Sequence, residues 1–409
     1  MATNGHQNEN LPIVVAGGGC VGVFLGLLLC QSDIKNEVIV VEPSPPNEAD
    51  TRAMSHQPSI FPLFDQAGLM PELEKIASKC DSFCFRKGAA HGHELIAGKT
   101  FPKSERSTLL LPQWRFQELV ISKVRAHPKG EVRMGSRVTG FEEHEGSVSV
   151  KIADKIGNEE TVEAAYLAGA DGGQSTIRKL LGESLKGETL DTLLVATDVI
   201  FDFHAYGFYD ANFVIDPEHY GLFGRINDQG LWRVSYGVPA GTPEKEVFQG
   251  VDAKMKIILP EGGKAGYEVK RVAPYKAQQR CADTFWKGGA RVGILGDAAH
   301  LTNPYAGAGL AAGIADAASL GSVLIHILNG GASDSTKLLS SWAAARRHVF
   351  LNIVDKPSRM SYERVRAKVA TEEDLEALME RDPMVKALRS GTIMMPPSLS
   401  TDPKTLEGW

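Results

Sequence analysis

Cysteine is scarce and unpatterned in this chain. The five that occur, Cys20, Cys30, Cys80, Cys84 and Cys281, form neither an even disulfide framework nor a zinc-ligand spacing. Cys80 and Cys84 would stand one turn apart on a helix, but two thiols make a poor metal site, so no metal is expected. Free thiols fit a reducing, cytoplasmic compartment. Basic charge is also lean: 44 Lys and Arg against 50 Asp and Glu give a formal charge of −6, which leaves no footprint for nucleic acid. Met1 to Asn10 is polar and lacks the charged-then-apolar order of a signal peptide, and Leu406 to Trp409 carries no targeting motif. Repeats and low-complexity tracts are missing as well.

One apolar run is long enough to suggest a membrane span: Ile13 to Cys30, eighteen residues without a charge. The three adjacent glycines Gly17, Gly18 and Gly19, with Gly22 soon after, argue instead for a buried strand, a tight turn and a buried helix, so no membrane span is expected. The remaining composition, 43% hydrophobic and 23% charged over 409 residues, is ordinary for a globular protein of about two domains.

The chain opens as a βαβ unit: strand Ile13–Ala16, helix from Val21 to Gln31, strand from Val38 to Val41 ending at Glu42. The spacing Gly17-x-Gly19-x-x-Gly22 lies between strand and helix, as dinucleotide binding requires. The first glycine permits the turn, the second admits a pyrophosphate, and the third lets helix and strand pack closely. Helix amides then face the phosphates. Glu42, twenty residues past Gly22, is placed to accept hydrogen bonds from both ribose hydroxyls and disfavours a 2′-phosphate, which points to FAD or NAD.

Gln113 to Ala126 has helical spacing, and Arg137–Glu142, Val148–Ile152 and Thr161–Ala168 read as strands. Asp171-Gly172 follows as a tight turn, with a helix starting near Ser175. Leu190 to Tyr236 is rich in β-branched and aromatic residues and reads as an antiparallel sheet. A second glycine segment closes the pattern: Gly293-Ile294-Leu295-Gly296-Asp297-Ala298-Ala299-His300, then Asn303-Pro304-Tyr305-Ala306-Gly307-Ala308-Gly309-Leu310, then a long helix to Leu328. Two glycine segments so far apart suggest one long cofactor held at both ends, and FAD is the obvious candidate.

These three marks, a GxGxxG, an Asp-Gly motif and a Gly-Asp motif followed by P-x-x-G-x-G, resemble the class A flavoprotein monooxygenases, the aromatic hydroxylases of the p-hydroxybenzoate hydroxylase fold. The resemblance spans roughly residues 11–330 and includes the acidic-alanine pair Asp316-Ala317. It implies an α/β protein with a discontinuous Rossmann-like FAD-binding domain (1–80, 111–182 and 281–335), an inserted β-rich substrate domain (81–110 and 183–280) and a C-terminal helical region (336–409).

It also implies roles. Asp297 would bond the ribityl chain of FAD, Arg115 would lie near the phosphates and ribityl chain, and Arg52 beside the flavin. Asp171 and Arg178 would serve FAD and a transient nicotinamide cofactor. Pro304, Gly307, Ala308, Gly309 and Leu310 would line the flavin; if the long helix starts there, its positive end points at the flavin pyrimidine ring. Leu301, Ala308 and Ala311 stand where the family often has Pro, Gln and Asn, so the resemblance implies backbone contacts to the flavin at those positions and not the family's side-chain contacts. With no second GxGxxG, NAD(P)H is expected as a transient co-substrate.

The implied activity is NAD(P)H- and O2-dependent hydroxylation of an aromatic or polyketide-like small molecule, with oxygen captured as a flavin hydroperoxide. Baeyer–Villiger or epoxidising chemistry is the alternative on the same scaffold. A halogenase fits less well, because Trp114, Trp232, Trp286, Trp342 and Trp409 are isolated and make no W-x-W motif. A flavin-binding protein without turnover is a further alternative. The candidates for catalysis in the β-rich insert are His204, Tyr206, Tyr209, His219, Tyr220, Arg225, Arg233 and Tyr236, with no base singled out among them. Oligomeric state is not legible.

Overall fold

The computed structural model describes residues 10–49, 55–102, 107–394 and 397–409. Its centre is a parallel sheet covered on both faces, which is why its inner strands are continuous apolar runs rather than alternating ones. In chain order the elements around it are β1 (Ile13–Ala16), α1 (Cys20–Gln31), β2 (Val38–Glu42), α2 (Gln113–Ala126), β3 (Gly130–Met134), β4 (Tyr166–Gly169), α3 (Thr176–Leu180), β5 (Val292–Ile294), α4 (Gly309–Leu328) and α5 (Ser335–Val349). The strand order is β5-β4-β1-β2-β3, all parallel, with the glycine turn after β1 in the middle of the sheet and the second glycine segment after its edge strand β5.

α1 is apolar all round and therefore buried all round. It runs between α4 and the sheet, and small residues set both approaches: a Cβ on Gly313 of α4 would meet the Val21 side chain at 2.6 Å, and one on Gly26 would meet Val40 of β2 at 2.7 Å. α4 is long and apolar enough to cross a membrane, but most of it is buried inside the protein, as expected of a core helix. The Ile13–Cys30 run is β1, the turn and α1.

The expected single strand from Thr161 to Ala168 is two. Glu159–Ala164 belongs to a three-stranded antiparallel sheet with Arg137–His144 and Ser147–Ala153, while β4 enters the parallel sheet. The break falls at Ala165, whose N–H donates to Pro12 O at 2.8 Å. Apolar residues on both sides of that point concealed the change of sheet. Cys80 and Cys84 also part: they lie on consecutive strands, Ser78–Cys80 and Ser82–Lys87, not on a helix.

The large sheet has eight strands: His300–Leu301, Glu268–Ala282, Leu185–Ile200, Leu231–Pro239, Gly221–Arg225, Ala211–Ile215, Ser82–Lys87 and Leu95–Thr100. Residues 82–100 thus join the 185–282 strands, whereas Thr108–Leu110 pairs with Ser55–His56 and Ser78–Cys80 in a small separate sheet. One face of the large sheet buries Val195, Val199, Trp232, Val234 and Tyr236 against the amphipathic helix Glu244–Ile258. The C-terminal region is not a unit apart. Leu338, Leu339 and Trp342 of α5 enter the core of the parallel-sheet region, and Leu375, Leu378, Val385 and Leu388 pack on Phe85 and Ile215 of the large sheet.

Candidate functional site

The first glycine turn separates what the protein needs from what a ligand needs. Gly17 has φ +104°, and a Cβ there would lie 2.4 Å from Ala170 O; a Cβ on Gly22 would lie 1.9 Å from Gly17 O. Both glycines are demanded by the packing of the turn itself. Gly19 differs: its φ is −63°, and a Cβ there would meet no protein atom within 4 Å. The open space at Gly19 lies at the N-terminus of α1, which has no side-chain cap and no acidic residue in its first turn. Uncapped amides and a Cβ-sized clearance fit a pyrophosphate. The helix α5, by contrast, is capped by Asp334.

Glu42 closes the nucleotide end. Its Oε2 accepts the Gly18 N–H at 2.6 Å and its Oε1 the Ser44 N–H at 3.0 Å. The Gln117 amide donates to Gly18 O at 3.0 Å, fixing α2 against the turn. Arg115 on α2 donates to Ile76 O at 3.1 Å, and its guanidinium stands 6.0 Å from the Trp114 ring centre. Arg52 lies outside the described residues.

The second segment follows β5 as two single turns, Gly296–Ala298 and Pro304–Ala306, before α4 begins at Gly309. Asp297 is exposed at the first turn, and Gly307 sits at φ +61° at the end of the second. Ala308, the N-cap of α4, offers no side chain to the helix amides, and the first turn is again free of acids. Gly309 and Leu310 begin the helix here, so its positive end is open to a ligand.

This segment is pinned by residues that sequence reasoning passed over. The Gln57 amide donates to Gly307 O at 2.9 Å. Gln279, fully buried, accepts the Asn303 N–H at 2.6 Å and donates to Asp355 at 2.9 Å. Asp316, also buried, accepts Gly296 N–H at 3.1 Å and bonds His300 Nε2 at 2.7 Å. Gln57 and Gln279 are single polar residues far along the chain from what they hold, which leaves no local pattern to find.

Asp171 and Arg178 are both engaged within the protein. The Asp171 carboxylate accepts the Ser175 hydroxyl and the amides of Thr176 and Ile177 at 2.5, 2.7 and 3.1 Å, capping α3. Arg178 donates to Ala298 O and to Gly173 O, each at 2.8 Å. It therefore ties the Asp-Gly loop to the turn that carries Asp297.

The structure divides the catalytic candidates. Tyr305, in the Pro304 turn, packs against Tyr220 and Tyr362 with ring centres 6.0 and 5.8 Å away, bringing Tyr220 beside the second segment. Burial pushes the Tyr305 hydroxyl well above its ordinary pKa, so it is protonated at neutral pH. Arg233 pairs with Asp198 at 2.9 Å, and Asp198 shares its strand face with Leu194 of the Tyr220 cluster.

The other candidates make their contacts elsewhere. Tyr236 and Tyr206 pack in the core on the opposite face of the sheet, and burial pushes Tyr236 up to about 12. His204 sits 3.3 Å from Asp210 and edge-on to Trp232; Arg225 pairs with Asp210 at 2.8 Å; Tyr209 is beside Arg86. His219 bonds Lys254 at 2.8 Å. Their aromatic and polar character suits that core and its rim, and strand alternation turns Tyr236 away from Tyr220's side.

Residues 10–357 match the FAD binding domain family. Para-nitrophenol 4-monooxygenase of Pseudomonas sp. (strain WBC-3) is 35% identical over 356 residues, covering 86% of each chain. The 6-hydroxy-3-succinoylpyridine 3-monooxygenase HspB of Pseudomonas putida is 30% identical over 351 residues, covering 84% of this chain and 86% of that one. Among solved structures, p-nitrophenol 4-monooxygenase PnpA from Pseudomonas putida DLL-E4 superposes with a TM-score of 0.83 at 30% identity, over 93% of this chain and 96% of that one. The ternary complex of aklavinone-11 hydroxylase with FAD and aklavinone shares the fold, with a TM-score of 0.74 at 22% identity over 89% of this chain and 70% of that one.

Proposed function

The chain belongs to the FAD binding domain family and is a flavin monooxygenase with FAD as its cofactor, and on that premise we propose that it hydroxylates a small aromatic ring bearing a hydroxyl group, with NAD(P)H as reductant. The balance is ring C–H, O2, NAD(P)H and a proton giving ring C–OH, NAD(P)+ and water. FAD, when bound, supplies the hydride acceptance and the activation of oxygen.

The observation that carries the proposal is the packing of Tyr305. It seats the turn before α4 directly on the Tyr220 side of the large sheet, so a ring held there faces the flavin-binding segment. Glu42 and the α1 amides would hold the adenosine half, and Asp297 the ribityl chain. The open end of α4 would face the flavin ring and favour negative charge on it. Leu190, Leu194, Tyr220 and Tyr362 give this side an apolar, aromatic character that excludes water. The relatives support the substrate class. Para-nitrophenol 4-monooxygenase and 6-hydroxy-3-succinoylpyridine 3-monooxygenase are both named for a six-membered aromatic ring that bears a hydroxyl group. Such a hydroxyl donates electron density to the ring carbons ortho and para to it, which suits a ring C–H there to receive oxygen.

The test uses FAD-loaded protein and a panel of phenols and hydroxypyridines, following NADH or NADPH oxidation together with oxygen uptake. Hydroxyl-bearing rings should stimulate both, and their methyl ethers should not. A purified protein that takes up no FAD, or one whose oxygen uptake no ring stimulates, contradicts the proposal.

A further inference from the structure

Arg346 on α5 is buried, and each of its nitrogens donates. Nε donates to Asp316 Oδ1 at 2.7 Å; Nη1 donates to Leu399 O at 2.6 Å and to Thr401 Oγ1 at 3.0 Å; Nη2 reaches Ala312 O at 3.4 Å. The other oxygen of Asp316 holds Gly296 N–H and His300, which bracket Asp297. Burial alone would raise the Asp316 carboxyl, but Arg346 and His300 overcome it and hold the group below its ordinary value, ionised. A single guanidinium thus joins the flavin-binding turn to a segment near the C-terminus, outside the 10–357 stretch that matches the family.

That segment, 397–409, is fastened at its other end too. The Trp409 ring stacks on His326 near the end of α4 with centres 3.8 Å apart and planes 2° from parallel. Asp334 N–H donates to Gly408 O at 3.2 Å and Glu407 N–H to Ser341 Oγ at 3.2 Å. Gly408 has φ +91°, and a Cβ there would lie 2.4 Å from Asp334 O. The segment runs from Leu399, held by the guanidinium that also reaches Ala312, through a single turn at Pro403–Thr405 to Trp409 against His326, and so follows α4 from Ala312 to His326, roughly 21 Å along its axis.

We propose that Arg346 is a positioning residue for FAD, and that residues 397–409 act as a strap along α4 whose docking, read through Arg346 and Asp316, sets the flavin-binding turn. This rests on FAD occupying the site described above. Two remote variants test it, Gly408→Val, which forces the strap off Asp334, and Trp409→Ala, which removes the stack. FAD dissociation constants are measured by flavin fluorescence, with folding followed by circular dichroism and strap release by limited proteolysis.

Both variants should keep the wild-type far-ultraviolet spectrum, be cut in the strap, and bind FAD about 5- to 150-fold more weakly, the usual range for two coupled sites. Arg346→Met should weaken FAD binding at least as much. Arg346→Lys, which keeps a cation beside Asp316, should recover part of the loss. Should Gly408→Val not fold, Trp409→Ala decides alone. A released strap with wild-type FAD affinity overturns the inference while the cofactor assignment stands. Wild-type protein that binds no FAD overturns both.

Discussion

Three glycines in one turn serve different needs, and the difference can be measured. Gly22→Ala places a methyl 1.9 Å from Gly17 O, so it should destabilise the protein by about 1–3 kcal/mol even without FAD, as overpacking does. Gly19→Ala meets no protein atom. Its apoprotein should unfold at the wild-type temperature, while its FAD affinity falls. Calorimetry of the two apoproteins, with FAD titrations alongside, checks both outcomes; equal behaviour would contradict the account of the turn. Glu42→Ala should weaken FAD by roughly tenfold or more, the scale of a hydrogen bond to a charged group. His56 carries a pH signature. Burial pushes its pKa down to about 4, so the unfolded chain takes up a proton as pH falls below about 6.5 and the folded chain does not. Stability therefore falls between pH 6.5 and about 4, by about 3 kcal/mol from this group. Urea unfolding at pH 7 and pH 4.5 should show a shallower loss for His56→Leu.

The strands and helices owe their places to patterns of different visibility. β1, β2 and α1 were plain from the apolar run and its glycines, because a buried strand, turn and helix leave no polar residue to blur the pattern. α2 was equally plain, its apolar residues Phe116, Val120 and Val124 falling on one buried face. The division at Ala165 was not, since a strand that leaves one sheet and one that joins another look alike when both are half apolar. The hydrogen bonds that hold the second glycine segment were hidden for another reason. Gln57, Gln279 and Arg346 act across 250, 24 and 30 residues of chain, and pairing at such distance is written in the fold rather than in the spacing. Asp316→Asn tests their weight. It leaves Arg346 buried with no counter-charge, so it should cost about 3–5 kcal/mol in denaturant unfolding. Because the Asp316 carboxyl lies below its ordinary value, its contribution is present at neutral pH and lost only as pH falls below about 4. A loss of less than 1 kcal/mol at pH 7 would show that the pair is not uniquely important to the core.

Taken whole, the molecule brings two glycine segments separated by about two-thirds of the chain onto strands of one sheet, β1 and β5, with β4 between them, and packs Tyr305 of the second segment against the large sheet. Chemistry at the cofactor was legible because nucleotide binding uses backbone, and backbone needs glycine at set spacings. The ring-binding side was not legible, because it depends on which face each strand presents. Tyr220 and Tyr236 are both aromatic residues of the same sheet, yet one packs on Tyr305 and the other turns toward the helix Glu244–Ile258. Tyr220→Phe keeps that packing and removes only a hydroxyl, so it should leave FAD affinity unchanged; steady-state kinetics should show its effect in turnover of the ring substrate alone.

The most direct measurement of the central claim is mass spectrometry of the product formed under 18O2 from a hydroxyl-bearing ring, with FAD-loaded protein and NADH or NADPH. The account predicts one 18O atom in the product, carried as a new ring hydroxyl, and none when the label is supplied as water. A product with no label from O2, or with the label inside a ring-expanded ester, would contradict it.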